Sequence, residues 1–522
     1  MGRPTPYILT SSVAAMTAKG GMKGGGGEEK AALLPVKGSW NIGLINTKYK
    51  YLSAETFGFK INANGKAMGK KQVWTLEPSG DGDSICIRSH LHKLLAVDHF
   101  GNVTCENEEK DDSAKFEISV CDDFSGRWAF RSVSRGYFLG ASLDSLVCAA
   151  KSPGEAELWY FNLAARPQVN LRSLGRKRFA RLSEDWTEIQ VEENVPWGSG
   201  TLFTLEFREE ANKYALHTSN NCYLMKDGRL VPELSKDCLF ACEYHSGHLA
   251  LRDQEGLYLS PMGSRAVLKT RSNAVTKDEL FSLEDSLPQA SFQAVTNQRF
   301  VSIKLGVDVT ANQEEIGDHE TFQLEFSPAV SKWNMRTTED RYFSLGPGGG
   351  LQAAKTRGAG AASFDLEWLD DGTVAFKAEN GKYICTKKSG HLFADADTIN
   401  ERSKFFFYLT NRPVLVLKCD QGYVGYKAAN SPSLECNKTT YTAIQVEQAE
   451  QGQVHFKGRN GKYCRATKDG LVCDSPLPHS FYLEVREPTR LCIKTSEGQY
   501  VCQQKNGGLT LGGQELATRW QF

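Results

Sequence analysis

At 522 residues the chain exceeds what one hydrophobic core supports, and domains of about 100–200 residues make it a multi-domain protein. Its 62 Lys and Arg balance 62 Asp and Glu, so no global field draws it to nucleic acid or to an anionic membrane. No apolar run approaches the roughly 20 residues of a membrane span, and 40% hydrophobic residues with 48 glycines suit a turn-rich β chain.

Residues 1–38 carry Gly20-Gly21 and Gly24 to Gly27 beside a short charged run. That composition predicts a flexible tail, because it offers too little apolar surface to offset the entropy of ordering. The start has no charged segment followed by an apolar one, which predicts a cytosolic protein. Pro6 stands where the myristoylation pattern wants a hydroxyl, so no lipid anchor is expected. The glycosylation patterns at Asn102 and Asn437 are then expected to be unused. The 14 cysteines are scattered singly, with no dense framework, and read as reduced, buried thiols.

From Ser39 onward one unit recurs. An aromatic or leucine follows a Gly, Lys or Arg turn at Tyr51, Leu94, Tyr137, Phe179, Tyr223, Tyr258, Phe300, Tyr342, Tyr383, Tyr423, Tyr463 and Tyr500, at steps of 35 to 44 residues. A period in that range marks repeated supersecondary units. Each unit closes 17 to 24 residues later on an apolar anchor: Trp74, Phe116, Trp159, Phe203, Phe240, Phe281, Phe322, Phe364, Phe405, Ile444, Phe481 and Trp520. Glycine turns such as Gly101, Gly228, Gly390, Gly470 and Gly507 supply the positive φ of tight hairpins. Each unit therefore reads as four short strands.

Pro-marked joints at Pro167, Pro288 and Pro413 break the twelve units into threes. Three four-stranded units of about 40 residues define a β-trefoil, a closed six-stranded barrel capped by three hairpins, and closure removes exposed sheet edges. A β-propeller has blades of similar length, but the chain lacks Trp-Asp and Gly-His blade signatures and has too many units for one ring. The expected fold is all-β, four tandem trefoils over residues 39–166, 167–288, 289–411 and 412–522. With almost no linker between them, they should pack into one body.

Candidate chemistry is sparse. Cys238, Cys242, His245 and His248 invite a metal reading, but C-x3-C followed closely by H-x2-H leaves no loop between ligand pairs, and strand alternation explains the same residues. His90 and His92 read as an exposed hairpin. The run Gly346 to Gly350 fits neither a dinucleotide fingerprint nor a phosphate loop and reads as a hairpin turn. No nucleophile and base stand in a recognisable context. No enzyme activity, cofactor or metal is expected. What does stand out is basic clustering in different trefoils: Lys66, Lys70 and Lys71; Arg176, Lys177, Arg178 and Arg181; Lys355 with Arg357; and Lys387 with Lys388. Separated basic faces on one rigid body suit the crosslinking of an acidic polymer.

The segments Gly43-Leu44-Ile45-Asn46, Lys50-Tyr51-Leu52-Ser53-Ala54, Lys70-Lys71-Gln72-Val73-Trp74-Thr75-Leu76-Glu77, Pro167-Gln168-Val169-Asn170, Val195-Pro196-Trp197-Gly198, Lys277-Asp278-Glu279-Leu280-Phe281 and Glu320-Thr321-Phe322-Gln323-Leu324-Glu325 resemble the fascins, actin-bundling proteins of filopodia and similar protrusions. The resemblance spans residues 39–522. It implies four trefoils, a monomer that grips filamentous actin through more than one surface, and a place in the cytoplasmic actin cytoskeleton. It also implies roles in actin contact for Lys50 and Lys71 in the first trefoil, for Lys427 near the cleft between first and last trefoils, and for Arg176, Lys177 and Arg178 in the second. Many fascins carry a phosphorylatable serine just before the Lys-Lys-Gln run, and Ala67 stands there in this chain. A lectin-like glycan module is the other reading of a trefoil, but Gln72-Val73-Trp74 is the one Gln-x-Trp at a closing anchor, whereas ricin-type lectins repeat that motif in each unit.

Overall fold

The computed structural model describes residues 37–142, 145–164, 166–356 and 360–522. Its strands form four sheets, three of 12 strands and a last one of 13, over residues 40–163, 168–285, 289–409 and 414–521. Pairing is antiparallel throughout, and each sheet closes with its first strand against its last, as in Ile42↔Leu163, Leu171↔Leu283 and Phe292↔Phe407. In the fourth sheet the opening strand is interrupted into Val414–Leu415 and Lys418–Cys419, which supplies the additional strand. These are four β-trefoils, numbered 1 to 4 below.

The sequence period maps directly onto strand order. Ten of the twelve unit openers are the first residue of the second strand of their unit, as at Tyr51–Ala54 and Tyr383–Thr386; Tyr137 lies one residue before Phe138–Ser142, and Tyr423 is second in Gly422–Tyr426. The anchors stand within one residue of the head of the fourth strand and all twelve are buried. The indoles add polar ties: Trp74 Nε1 donates to Leu52 O at 2.9 Å and Trp159 Nε1 to Leu139 O at 3.0 Å. Burial and bond together fix the closing strand over its own hairpin.

A second repeat accompanies the first. Three residues beyond an anchor stands a glutamate, and the tyrosine that opens the next unit donates its hydroxyl to it: Tyr223 to Glu206, Tyr258 to Glu243, Tyr342 to Glu325, Tyr383 to Glu367, Tyr463 to Glu447 and Tyr500 to Glu484. Where the opener is Leu94 and offers no hydroxyl, Glu77 is held by Arg88 Nε at 2.6 Å and Lys110 Nζ at 3.1 Å. Burial, with the Glu243 charge beside it, pushes the Tyr258 hydroxyl up to about 12, so it remains a donor.

Hairpin tips meet at close range. Gly390 lies at φ +85, and a Cβ there would sit 2.9 Å from Ala311 O on the neighbouring hairpin. Gly101 repeats the arrangement against Cys148 O at 2.7 Å. Only glycine satisfies both the left-handed backbone and the contact.

The trefoils are joined in pairs by continuous cores, one running through trefoils 1 and 2 and another through 3 and 4. Trp128 Nε1 reaches Cys242 O at 3.2 Å, and Tyr214 Oη accepts from Leu163 N at 2.8 Å. At the three Pro joints the proline carbonyl accepts from a fourth strand of the following trefoil: Leu205 N to Pro167 O, Leu324 N to Pro288 O and Val446 N to Pro413 O, at 2.8, 2.9 and 2.8 Å. Gln168 Nε2 donates to Val414 O at 2.8 Å, linking trefoil 2 to trefoil 4.

The reading of the cysteines as uniformly reduced and buried is corrected here. Cys464 and Cys473 face each other across the hairpin Tyr463–Thr467 and Gly470–Ser475 and form a disulfide. Cys121 and Cys222 are only partly buried. Sequence spacing gave no sign of the pair, because what opposes two cysteines is the strand register and not a motif.

The anchors set the first prediction. Trp159→Ala should lower stability by about 3–5 kcal/mol, as loss of a buried large aromatic does, while exposed Phe57→Ser should move it little. Denaturant melts of the two variants check it, and an unchanged Trp159→Ala midpoint would displace Trp159 from the core.

Candidate functional site

The basic residues fall on hairpin ends and turns, where the chain has no core to face. In trefoil 1 the loop after Ile61–Gly65 turns into a single 3-10 turn, Lys70–Gln72. Gln72 shapes it: its Oε1 accepts from Gly69 N at 3.0 Å while its Nε2 donates to Ser53 Oγ at 2.8 Å. Lys66, Ala67, Lys70 and Lys71 are thereby left exposed, and Lys50 is half-buried just before Tyr51–Ala54. Lys71 is not an isolated charge. Its Nζ bonds Glu55 Oε2 at 2.7 Å, and this bond, with a second from Asn62, holds the Glu55 carboxyl below its usual range.

In trefoil 2 Arg176, Lys177 and Arg178 form the exposed tip between Gln168–Ser173 and Phe179–Leu182. Lys177 has φ 56, and Arg176 Nη2 donates to Gly263 O at 3.3 Å. Among the described residues no carboxylate lies within ion-pair distance of these three, whereas Arg181 pairs with Glu193 at 3.3 Å. In trefoil 3 Lys355 pairs with Tyr342 at the open end of one hairpin, while Lys387 and Lys388 lie at the tip of another. The structure therefore does not bring these lysines together. Lys387 is bonded to Asp395 and lies over the Phe393 ring, leaving exposed Lys388 as the outward charge. Arg357 lies outside the described residues. In trefoil 4 exposed Lys427 is 4.0 Å from Glu435.

Segments next to two of these groups line one cavity, although the lysines themselves do not. A space of about 170 Å³ between trefoils 1, 2 and 4 is lined by Met68, Tyr214, Arg208, Tyr423, Thr439 and Tyr441, among others. Met68 belongs to the Lys70–Lys71 loop, and Tyr423 belongs to the strand whose end carries Lys427. The hydroxyl of Tyr441 reaches Leu205 O of trefoil 2, fixing this seam. Sequence reasoning reached the lysines but missed Glu55, Glu435 and the tyrosines, since their relevance arises only from contacts between distant segments.

The other clusters have ordinary surroundings. Cys242 is in the core and Cys238 is buried, and His245 and His248 face each other across a turn, with His245 bonded to Glu243 at 3.1 Å. Among the described residues no group of three or more His, Cys, Asp or Glu is placed to hold a metal. No helix among them is long and apolar enough to cross a membrane. The Gly346 to Gly350 run forms a hairpin turn with Gly348 and Gly349 at positive φ. Trp74 is fully buried, so the lone Gln-x-Trp offers no ring to a sugar.

Four tandem trefoils with charged hairpin ends define a protein of repeated β-trefoil domains. The family model of the fascin domain matches residues 48–161, 169–283, 296–407 and 411–521. Fascin-2 of Bos taurus is 37% identical over 464 residues, covering 88% of this chain and 93% of the relative. Fascin of Strongylocentrotus purpuratus is 31% identical over 502 residues, covering 92% and 99%, and Fascin-3 of Mus musculus is 24% identical over 488 residues, covering 92% and 97%. The chain belongs to the fascin family.

Glu55 gives a direct check on the trefoil 1 geometry. Its folded-state pKa is depressed, so its contribution to stability is present above the unfolded carboxylate pKa and fades as pH falls through the folded value. Titration by carbon-detected NMR should show Glu55 ionised below the ordinary glutamate range, and Lys71→Met should raise its midpoint. A midpoint indifferent to Lys71→Met would remove the ion pair.

Proposed function

We propose that this chain binds and bundles actin filaments as a monomer, using basic surfaces on separate trefoils, in the cytoplasm and in actin-rich projections. The observation that carries this reading is the distribution of exposed cations. Lys70 in trefoil 1, the triplet Arg176, Lys177 and Arg178 in trefoil 2, and Lys388 in trefoil 3 are exposed and lack a carboxylate within 4 Å among the described residues, on trefoils joined by continuous cores and backbone bonds. Fascin-family membership supports the identity of the polymer. Crosslinking needs two grips at a fixed separation, and a rigid body with cations on different domains supplies both. In this reading Lys50, Lys71 and Lys427 contact the filament around the seam of trefoils 1 and 4, while Lys355 with Arg357 and Lys387 with Lys388 offer separate contacts on trefoil 3. The role is structural and not catalytic.

Lys71→Glu removes one attraction and adds a repulsion, so low-speed pelleting of bundles should fall while binding to single filaments partly survives. Adding Lys388→Glu should abolish high-speed co-sedimentation as well. Salt should mimic both, because exposed charges are screened over about 8–10 Å near physiological ionic strength. If Lys71→Glu lowers bundling and single-filament binding in strict proportion, trefoil 1 holds the sole grip and bundling must come from dimers.

Ala67 has no hydroxyl, so kinases should not act at this position. Ala67→Glu places a carboxylate beside Lys70 and Lys71 and should weaken bundling in the same pelleting assay. Normal bundling by Ala67→Glu would take this loop out of the interface.

A further inference from the structure

A second cleft, between trefoils 2 and 3, is lined by two carboxylates and one cation among the described residues. It encloses about 430 Å³, and its walls include Trp186, Ile316, Glu184, Asp318, Arg181 and Ser199. Two large apolar side chains stand open in it: Trp186 is 47% exposed and Ile316 39% exposed. Exposed apolar side chains that share one cleft at a domain seam suit the seating of an apolar group.

The tryptophan is held outward by its backbone. Trp186 has φ 63, a conformation a bulky aromatic rarely adopts. The turn is pinned by Trp186 N to Ser183 O at 2.9 Å, by Asn220 Nδ2 to Trp186 O at 3.1 Å, and by Asp185 Oδ1 accepting from Ser183 Oγ at 2.6 Å and Thr187 Oγ1 at 2.7 Å. The floor is equally fixed. Gln289 of trefoil 3 accepts from Gly198 N at 2.8 Å and donates to Pro196 O at 2.9 Å in trefoil 2. A preformed groove of this kind costs a ligand little in ordering.

Charge decides what fits. The lining contributes the carboxylates Glu184 and Asp318, with exposed Asp185 next to Glu184 and exposed Glu315 next to Ile316. Arg181 is the one lining cation among the described residues, and Glu193 neutralises it at 3.3 Å. An acidic rim around an apolar floor repels the acidic polymer proposed for the basic faces and attracts a cationic segment.

We propose that the cleft between trefoils 2 and 3 docks a segment of a partner protein in which Lys or Arg alternates with Leu or an aromatic residue, the apolar side chain seating between Trp186 and Ile316 and the cation meeting Glu184 and Asp318.

The test titrates the full chain into a short fluorescent peptide of alternating Lys/Arg and Leu/Phe, and into the same peptide with Glu at every basic position, following anisotropy. The basic peptide should bind and the acidic one should not. Trp186→Asn, which keeps a residue tolerant of positive φ, and the pair Glu184→Lys with Asp318→Lys should each weaken binding about tenfold or more, as loss of a central anchor does. Phe57→Ser, a remote exposed aromatic, should leave binding unchanged, and Trp186→Asn should still co-sediment with filaments. Absence of binding, equal binding of the acidic peptide, or binding indifferent to the cleft variants would overturn the proposal. Concentration-dependent self-association in sedimentation velocity that Trp186→Asn abolishes would also overturn it, assigning the cleft to a second copy of this chain.

Discussion

Arg412 is the tie on which the arrangement of the trefoils depends. It is fully buried where the ends of three trefoils meet: its guanidinium donates to Ser286 Oγ at 3.0 Å, Ser286 O at 2.7 Å and Asn411 O at 3.0 Å, and lies over the Phe522 ring at 5.3 Å. Burial, with Arg166 nearby, lowers its pKa to about 9, so it still carries its charge at neutral pH. A buried cation held by carbonyl dipoles and a hydroxyl is tolerable only where those groups are fixed. Its three partners come from the close of trefoil 2, the close of trefoil 3 and the last residue of trefoil 4. Free movement of any of these ends would strand the charge, and this couples the domain arrangement to the folding of each domain.

The fold was legible because each trefoil unit needs one aromatic or leucine at the head of its second strand and one apolar plug at the head of its fourth. Those needs leave a period in the sequence that survives strong variation elsewhere, as Leu94 and Ile444 show at positions otherwise held mainly by aromatics. The glutamate three residues after an anchor was equally visible, at Glu206, Glu243, Glu325, Glu367, Glu447 and Glu484. It escaped notice because a charged residue on a strand reads as solvent-facing until its tyrosine partner is in place. The Gln168, Gln289 and Arg412 ties left no local trace, since each depends on segments brought together by several closed barrels, and the disulfide depends on the register of a single hairpin.

The candidate surfaces were legible only in part. Runs such as Arg176, Lys177 and Arg178 announce a solvated tip, and that tip is where the chain puts them. Whether a lysine is available to a partner depends on its neighbours: Lys71 shares its charge with Glu55, and Lys387 with Asp395, while Lys70 and Lys388 have no such carboxylate within 4 Å among the described residues. Trp186 and Ile316 lie about 130 residues apart in the chain, and their common cleft arises from the packing of trefoil 2 on trefoil 3. The proposed function therefore rests on seams and tips held in place by the closed barrels.

One chain is proposed to grip two filaments with different trefoils held at a fixed separation. The sharpest test is a density map of the protein within bundled actin filaments. A single copy should lie between neighbouring filaments, with the Lys70–Gln72 turn of trefoil 1 against one and trefoil 2 or 3 against the other. Density showing each copy seated on one filament, with filaments joined through contacts between two copies, would contradict it.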